Sequence, residues 1–362
     1  MSFTDIKRNE IKLYLLRKIE EDDEFLISKV ADAFGISMTS VKRYIDSEIS
    51  EGHIVTEKTN RCGYKLVDSF SSFEYIIDEI GSCDELIMDD VCPLLKCNVY
   101  SKRIWDYVLC EIFNNALEHS KGTNVKVSLK YNYLFTRITI SDNGVGVFQN
   151  ISDYMNNNGE KRFNLKDSVV ELYKGKFTSY PERHSGEGIF FSTKLLDQIS
   201  IISDGMIFKS GYNGDIDIIN SHLLSYAMKF TDKGTVVVMQ LENNCKRNIK
   251  EVFDFYADVD EGFVKTKIPV FEACLDRNPL SRSQARRICS RLNNFKEVIL
   301  DFEKVEYMAQ GFADEMFRVF HNDYPDVVLT PINMNEETRN MYLYTIHNKV
   351  CGLKWIWLGA NS

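Results

Sequence analysis

Two short polar blocks constrain this chain more than any other feature of its sequence. Glu111 and Asn115 are four residues apart in the run E-I-F-N-N-A-L-E-H-S (111–120), and a helix would place both side chains on one face. The alternating run 135–141 predicts a strand that delivers Asp142 to its end. The two blocks together predict an α/β unit in which a carboxylate and an amide oxygen point into one pocket.

These residue types suit a metal ion, a water molecule and an amino group. Mg²⁺ prefers oxygen ligands and is usually bound together with substrate phosphates, so Asn115 is a candidate metal ligand. Glu111 is a candidate general base that polarises an attacking water. Asp142 is a candidate acceptor for an amino group such as N6 of adenine.

Glycine clusters complete the pattern. Gly144 and Gly146 follow Asp142, while Gly186 and Gly188 stand at the start of a predicted helix, where backbone N–H groups bind phosphate. Gly234 and Thr235 precede an apolar run that predicts another strand. Neither a Walker A motif nor a Rossmann fingerprint is present. A single D-N-G is usually a turn, so the interpretation depends on the ordered set.

In this order the blocks resemble the N, G1, G2 and G3 boxes of the GHKL ATPase superfamily, over roughly residues 70–243. The resemblance implies an α/β sandwich that binds ATP and Mg²⁺. It makes Glu111 the general base, Asn115 the metal ligand and Asp142 the adenine contact, and it implies a lid at about 147–183. The other nucleotide contacts that it implies are Gly144, Gly146, Ser185, Gly186, Glu187, Gly188, Ile189, Phe190 and Thr235.

Residues 1–69 have a different signature. Apolar spacing predicts helices at 6–19, 25–35 and 39–51, and the run 52–67 resembles the two-stranded wing of a winged helix-turn-helix domain. Its candidate contacts to double-stranded DNA are Thr39, Ser40, Lys42, Arg43 and Tyr44. Residues 39–65 contain five basic and four acidic residues, so the positive charge is small and protein binding is an alternative to DNA binding.

Residues 244–362 alternate strand and helix patterns, which predicts a further α/β layer. The predicted strands are 267–275, 297–302 and 327–332, and the predicted helices are 281–292, 311–321 and 335–346. The run 298–316 resembles the STAS fold of anti-sigma antagonists. Ala309, Gln310 and Gly311 stand where such proteins carry a phosphorylatable serine, and none of them has a hydroxyl group. The resemblance therefore does not extend to a phosphorylation switch.

A row of arginines has two interpretations. Arg282, Arg286, Arg287 and Arg291 recur at helical spacing. They form either a solvated helix face or a surface that docks on the acidic ATPase unit or on phosphate. The aromatic run 352–358 is expected to pack on a domain or a partner.

Composition narrows the classes of function. The chain has 44% hydrophobic and 27% charged residues, no run long enough for a membrane span and no apolar leader, which predicts a cytoplasmic protein. A net charge of −9 argues against extensive coating of nucleic acid. Nine cysteines without a C-x-x-C pair give weak support to disulfide or zinc chemistry.

The sequence as a whole predicts an α/β multidomain protein, with a winged helix-turn-helix at 1–69, a GHKL ATPase at 70–243 and a STAS-like domain at 244–362. Its predicted function is an ATP-binding, ATP-hydrolysing bacterial switch in transcription or signalling. The alternatives are a serine/threonine kinase of the anti-sigma-factor type acting on a separate protein, and a scaffold that binds ATP without turnover. Histidine autokinase activity is disfavoured, because His119 lies within the N box itself. The DNA site, the protein partner and a homodimeric state are left open.

Overall fold

The protein is a mixed α/β multidomain chain. The computed structural model describes residues 3–80, 87–158, 162–177, 186–211, 220–258, 260–275 and 277–347. These residues form three units in chain order. The first has three helices and a hairpin, the second a six-stranded sheet with helices, and the third a three-stranded sheet with helices. Within those ranges, no helix has the length and apolar character needed to cross a membrane.

The amino-terminal unit has local signals at its helix ends. Its elements are α1 Asp5–Glu20, α2 Leu26–Phe34, α3 Met38–Ser50, β1 Ile54–Thr56 and β2 Tyr64–Leu66. The side chains of Thr4 and Ser37 accept backbone N–H groups and cap α1 and α3. Gly35 ends α2 with a φ of 62°, a conformation that glycine adopts without strain. β1 and β2 pair antiparallel. Helices and hairpin lie where the sequence predicts them.

The central unit is built on an antiparallel sheet. Its strands are β3 Ser69–Ile76, β4 Asn124–Tyr131, β5 Phe135–Asp142, β6 Gln198–Ser203, β7 Met206–Ser210 and β8 Thr235–Glu242. Their order is β3-β4-β5-β8-β6-β7. β5 pairs with β8 through Ser141 and Val236, so the end of β5 lies beside the start of β8. This register brings Asp142 and Thr235 together.

The α-helices in the described part of the central unit are α4 Val99–His119, α5 Val147–Asn157, α6 Leu165–Lys174, α7 Gly188–Leu195 and α8 Asn220–Ala227. α4 packs on β5 and β8 and buries Trp105, Val108 and Ile112. The predicted polar lid at 147–183 contains α5 and α6, which bury Phe148 and Val170. Its last residues, 178–183, lie outside the described part of the chain. The described part of this segment is thus largely packed helix.

The carboxy-terminal unit is built on a parallel sheet. Its elements are α9 Ile249–Tyr256, β9 Ala257–Asp258, β10 Gly262–Phe263, β11 Lys265–Pro269, α10 Val270–Ala273, α11 Arg282–Cys289, β12 Glu297–Asp301, α12 Gln310–Ala313, β13 Val328–Ile332 and α13 Glu336–His347. The strand order of the parallel sheet is β11-β12-β13. α12 continues as a π-helix, Asp314–Phe320. The predicted strand 267–275 is wrong in its second half, because the apolar run after Pro269 forms α10. The predicted aromatic tail lies outside the described residues.

Two large apolar clusters divide the chain unequally. One holds buried residues of the amino-terminal unit and, within the described residues, extends into the central unit at Leu134 and Phe135, with Tyr133 packed against it. The other is a single connected cluster that contains buried residues of the central unit, such as Val91, and of the carboxy-terminal unit, such as Val327. The central and carboxy-terminal units are therefore packed on each other across a shared core. The boundary predicted near residue 243 lies between β8 and α9 and stays a prediction.

Candidate functional site

The sequence-predicted residues surround one cavity of about 290 Å³ between α4, the ends of β5 and β8, α6 and the start of α7. Ten of them line it: Glu111, Asn115, Asp142, Gly146, Gly186, Glu187, Gly188, Ile189, Phe190 and Thr235. Gly144 is not among the lining residues, although its N–H donates to Asp142. Ser185 lies outside the described residues. The fold thus brings residues from distant parts of the chain to one place.

Helix α4 supplies the half-buried pair Glu111 and Asn115, one turn apart on the side that faces the cavity. One turn before them, the phenol of Tyr107 donates a hydrogen bond to the carboxylate of Glu111. Burial, followed by the carboxylates of Glu111 and Glu187, raises the pKa of Tyr107 well above its usual value. Tyr107 therefore stays protonated and orients the carboxylate. The sequence analysis did not select Tyr107, although a position four residues before Glu111 places both side chains on the same helix face.

Asp142 is buried at the end of β5 and held by backbone donors. Its Oδ1 accepts the N–H of Gly144 at 2.8 Å and the N–H of Thr235 at 3.3 Å. The hydroxyl of Thr235 in turn accepts the N–H of Val147 at 3.0 Å, which ties the start of α5 to the site. Burial raises the pKa of Asp142, and the bonds from Gly144 and Thr235 oppose that rise. Asp142 thus lines the cavity with its Oδ1 fixed by the backbone.

Two glycines at the start of α7 are required by close approach. Gly186 has a φ of 72°, and a Cβ there would lie 2.5 Å from the carbonyl oxygen of Phe177. A Cβ on Gly188 would lie 1.9 Å from Oε2 of Glu111. Only glycine lets the backbone of α7 reach the carboxylate of α4 this closely. The start of α7 and the carboxylate therefore belong to a single site.

The cavity also has a wall that the sequence analysis missed. Helix α6 contributes Glu171 and Leu172, and Phe177 follows from the segment after it. The resemblance implied a lid over this segment, whereas the capping box of Asn164 and Asp167 signals the start of α6. His119 also borders the cavity, as a pocket residue at the end of α4. A further carboxylate, that of Glu171, thus belongs to the site.

A larger cleft of about 1490 Å³ lies where the three units meet. Several of its charges are paired with each other: Arg17 with Glu242, Arg247 with Asp197, and Lys267 with Asp301. Lys194, on α7, also lines it, and burial next to Lys267 lowers the pKa of Lys194 to about 7. None of the described residues predicted for the site lines this cleft, whereas ten of them line the smaller cavity, so the smaller cavity is the better candidate site.

The predicted DNA contacts all lie on α3, remote in sequence from the cavity. Thr39, Lys42 and Arg43 are exposed. Ser40 and Tyr44 are half-buried, and Tyr44 packs against the apolar cluster of its own unit. The structure therefore presents the two cations of this set to solvent.

Comparison with known families identifies part of the chain. Residues 284–339 match the family described as a STAS-like domain of unknown function (DUF4325). The match runs from α11 into α13, so the carboxy-terminal unit contains a STAS-like domain. A search of curated proteins gives no match for the chain. In this STAS-like domain α12 begins at Gln310 after Ala309, at the position where the sequence lacks a hydroxyl group.

Proposed function

We propose that the central unit binds ATP with Mg²⁺ and hydrolyses the ATP, as the nucleotide-controlled part of a regulatory switch. The observation that carries this proposal is the convergence of Glu111, Asn115 and Asp142 on one cavity, at the start of α7. The order of these residues along the chain and the antiparallel sheet behind α4 support a GHKL-type arrangement.

Each residue has a role that its surroundings support. Asp142 Oδ2 accepts a hydrogen bond from the adenine amino group, while two backbone N–H groups hold Oδ1 in place. Asn115 offers an amide oxygen to Mg²⁺, which when bound neutralises phosphate charge. Glu111 takes the proton of the attacking water, oriented by Tyr107. Backbone N–H groups at the start of α7 face the phosphates.

Removing the carboxylate of Asp142 should weaken ATP binding. We expect Asp142→Ala to lower the affinity for ATP by about 5–150-fold, because the loss of a buried hydrogen-bond partner costs about 1–3 kcal/mol. Isothermal titration calorimetry measures the change. Asp153→Ala, which removes an exposed carboxylate on α5, is the matched control. Equal affinities of the wild type and Asp142→Ala would contradict the assignment of the adenine contact.

The fate of the γ-phosphate separates the proposal from its alternatives. The protein is incubated with γ-labelled ATP and Mg²⁺, and free phosphate is separated from labelled protein. Release of free phosphate alone supports the hydrolytic switch. Stable label on a protein supports a serine/threonine kinase instead, and tight binding with neither product supports a scaffold.

DNA contact by the amino-terminal unit is a second candidate function. The order of three helices and a hairpin supports a winged helix, and Lys42 and Arg43 are both exposed on α3. We expect weak, salt-sensitive binding of double-stranded DNA that is lost when both residues are changed to Glu. Each lost phosphate contact should lower the slope of log affinity against log salt by about one. Equal binding by wild type and variant at low salt would exclude α3 as the contact.

A further inference from the structure

The cavity wall formed by α6 is held by the STAS-like domain. We propose that the carboxylate of Glu171 acts on the nucleotide through its charge and that Arg291 of the STAS-like domain compensates that charge, so that this domain controls nucleotide affinity. This inference rests on the proposed function of the central unit. It means that a change in the STAS-like domain changes the affinity of the site for nucleotide.

Glu171 has one side on the cavity and the other on the domain interface. It is 2% exposed and lines the cavity. Its Oε1 lies 2.5 Å from Nζ of Lys174, and its Oε2 lies 3.6 Å from Nη1 of Arg291. Lys174 is 1% exposed and donates to the carbonyl oxygen of Ser290 at 2.8 Å. The carboxylate is thus neutralised by a cation of its own helix and by one from the STAS-like domain.

Further contacts fix α6 to the carboxy-terminal unit, which contains the STAS-like domain. The guanidinium of Arg287 donates to the carboxylate of Asp167 at the start of α6. At its other end, the hydroxyl of Thr266 on β11 donates to the carbonyl oxygen of Lys174 at 2.8 Å. The helix is therefore held at both ends by the carboxy-terminal unit.

The row of arginines divides between two roles. Arg287 and Arg291 reach α6, as one of the sequence interpretations expects. Arg282 and Arg286 instead pair with Glu315 inside the carboxy-terminal unit. Arg286 lies on the same helix as Arg287 and has the same charge, yet it pairs with Glu315. Arg286 therefore provides a matched control for the substitution of Arg291.

The direction of the effect of Arg291 on ATP affinity follows from the charges in the cavity wall. ATP is a polyanion, and a carboxylate in the cavity wall repels it unless cations compensate that carboxylate. Lys174 and Arg291 supply the compensation, so loss of Arg291 leaves more of the negative charge of Glu171 facing the nucleotide. The coupling must also be reciprocal, because a nucleotide that is stabilised by the contact stabilises the contact in turn.

The test compares ATP affinities by calorimetry in the full chain. We expect Arg291→Gln to weaken ATP binding about fivefold or more, the lower end of typical couplings between sites, and Arg286→Gln to leave it unchanged. Arg291→Lys should retain most of the affinity. Adding Glu171→Gln to Arg291→Gln should restore binding, which a purely structural role of Arg291 would not produce. Equal affinities of Arg291→Gln and Arg286→Gln would overturn the inference.

A measurement on the wild type keeps the test decisive if a variant does not fold. Hydrogen exchange is compared with and without ATP over residues 284–296, which contain the contacts to α6. Increased protection there supports the coupling. Binding of ATP without any change in 284–296 overturns the inference but leaves the proposed function standing. Failure of the wild type to bind ATP overturns the proposed function itself.

Discussion

Glu111→Gln should slow ATP hydrolysis by about 10²–10⁴-fold, the range usual for loss of a general base, while ATP still binds. The amide keeps the size of the side chain but cannot take the proton of the attacking water. Tyr107 remains in place to hold the substituted group. Phosphate release at saturating ATP measures the rate, and calorimetry measures the affinity.

Two further variants make this result specific. Glu118→Gln removes an exposed carboxylate from the same helix and should leave the rate unchanged. Asn115→Ala should lower the Mg²⁺-dependent affinity as well as the rate, because the amide is assigned to the metal. A wild-type rate in Glu111→Gln would show that another group activates the water.

Gly188→Ala should reduce turnover to a similar extent through the same carboxylate. The new Cβ would lie 1.9 Å from Oε2 and 2.7 Å from Cδ of Glu111, so the carboxylate has to leave its position. A displaced base loses most of its contribution, because general-base catalysis requires hydrogen-bond reach to the water. The expected loss is again about 10²-fold or more, measured as phosphate release.

Gly311→Ala is the matched control, since a Cβ at Gly311 would meet nothing closer than 3.6 Å. In the double variant with Glu111→Gln, Gly188→Ala should add little, because the base is already absent and the two changes act on one group. Full additivity of the two rate losses would mean that Gly188 acts independently of Glu111, for example at the phosphates.

Local patterns predicted much of this structure. The spacing of Glu111 and Asn115, the strand before Asp142 and the glycines before α7 were sufficient to select residues that line one cavity. These signals are short-range, and each depends on the period of a helix or strand or on a turn. The helical period also predicted the helices of the amino-terminal unit, while its hairpin was predicted from the resemblance of 52–67 to a wing.

What the sequence did not predict depends on long-range packing. Glu171 lines the cavity only because α6 packs between the central sheet and the STAS-like domain, and no local pattern encodes that position. The strand predicted for 267–275 failed because a short apolar run fits a buried strand and a buried helix equally well. Which arginines of the row 282–291 reach α6 was equally a matter of tertiary structure.

The shared core has a consequence for how this chain can vary. Domains usually have their own hydrophobic core, so one domain can often be replaced without altering its neighbour. Here the apolar interior continues from the central unit into the STAS-like domain, so their facing surfaces must change in concert. The amino-terminal unit has a nearly separate core, so this constraint is weaker for it. Inheritance of the two larger units as a pair is therefore expected, with the helical unit the easier one to exchange.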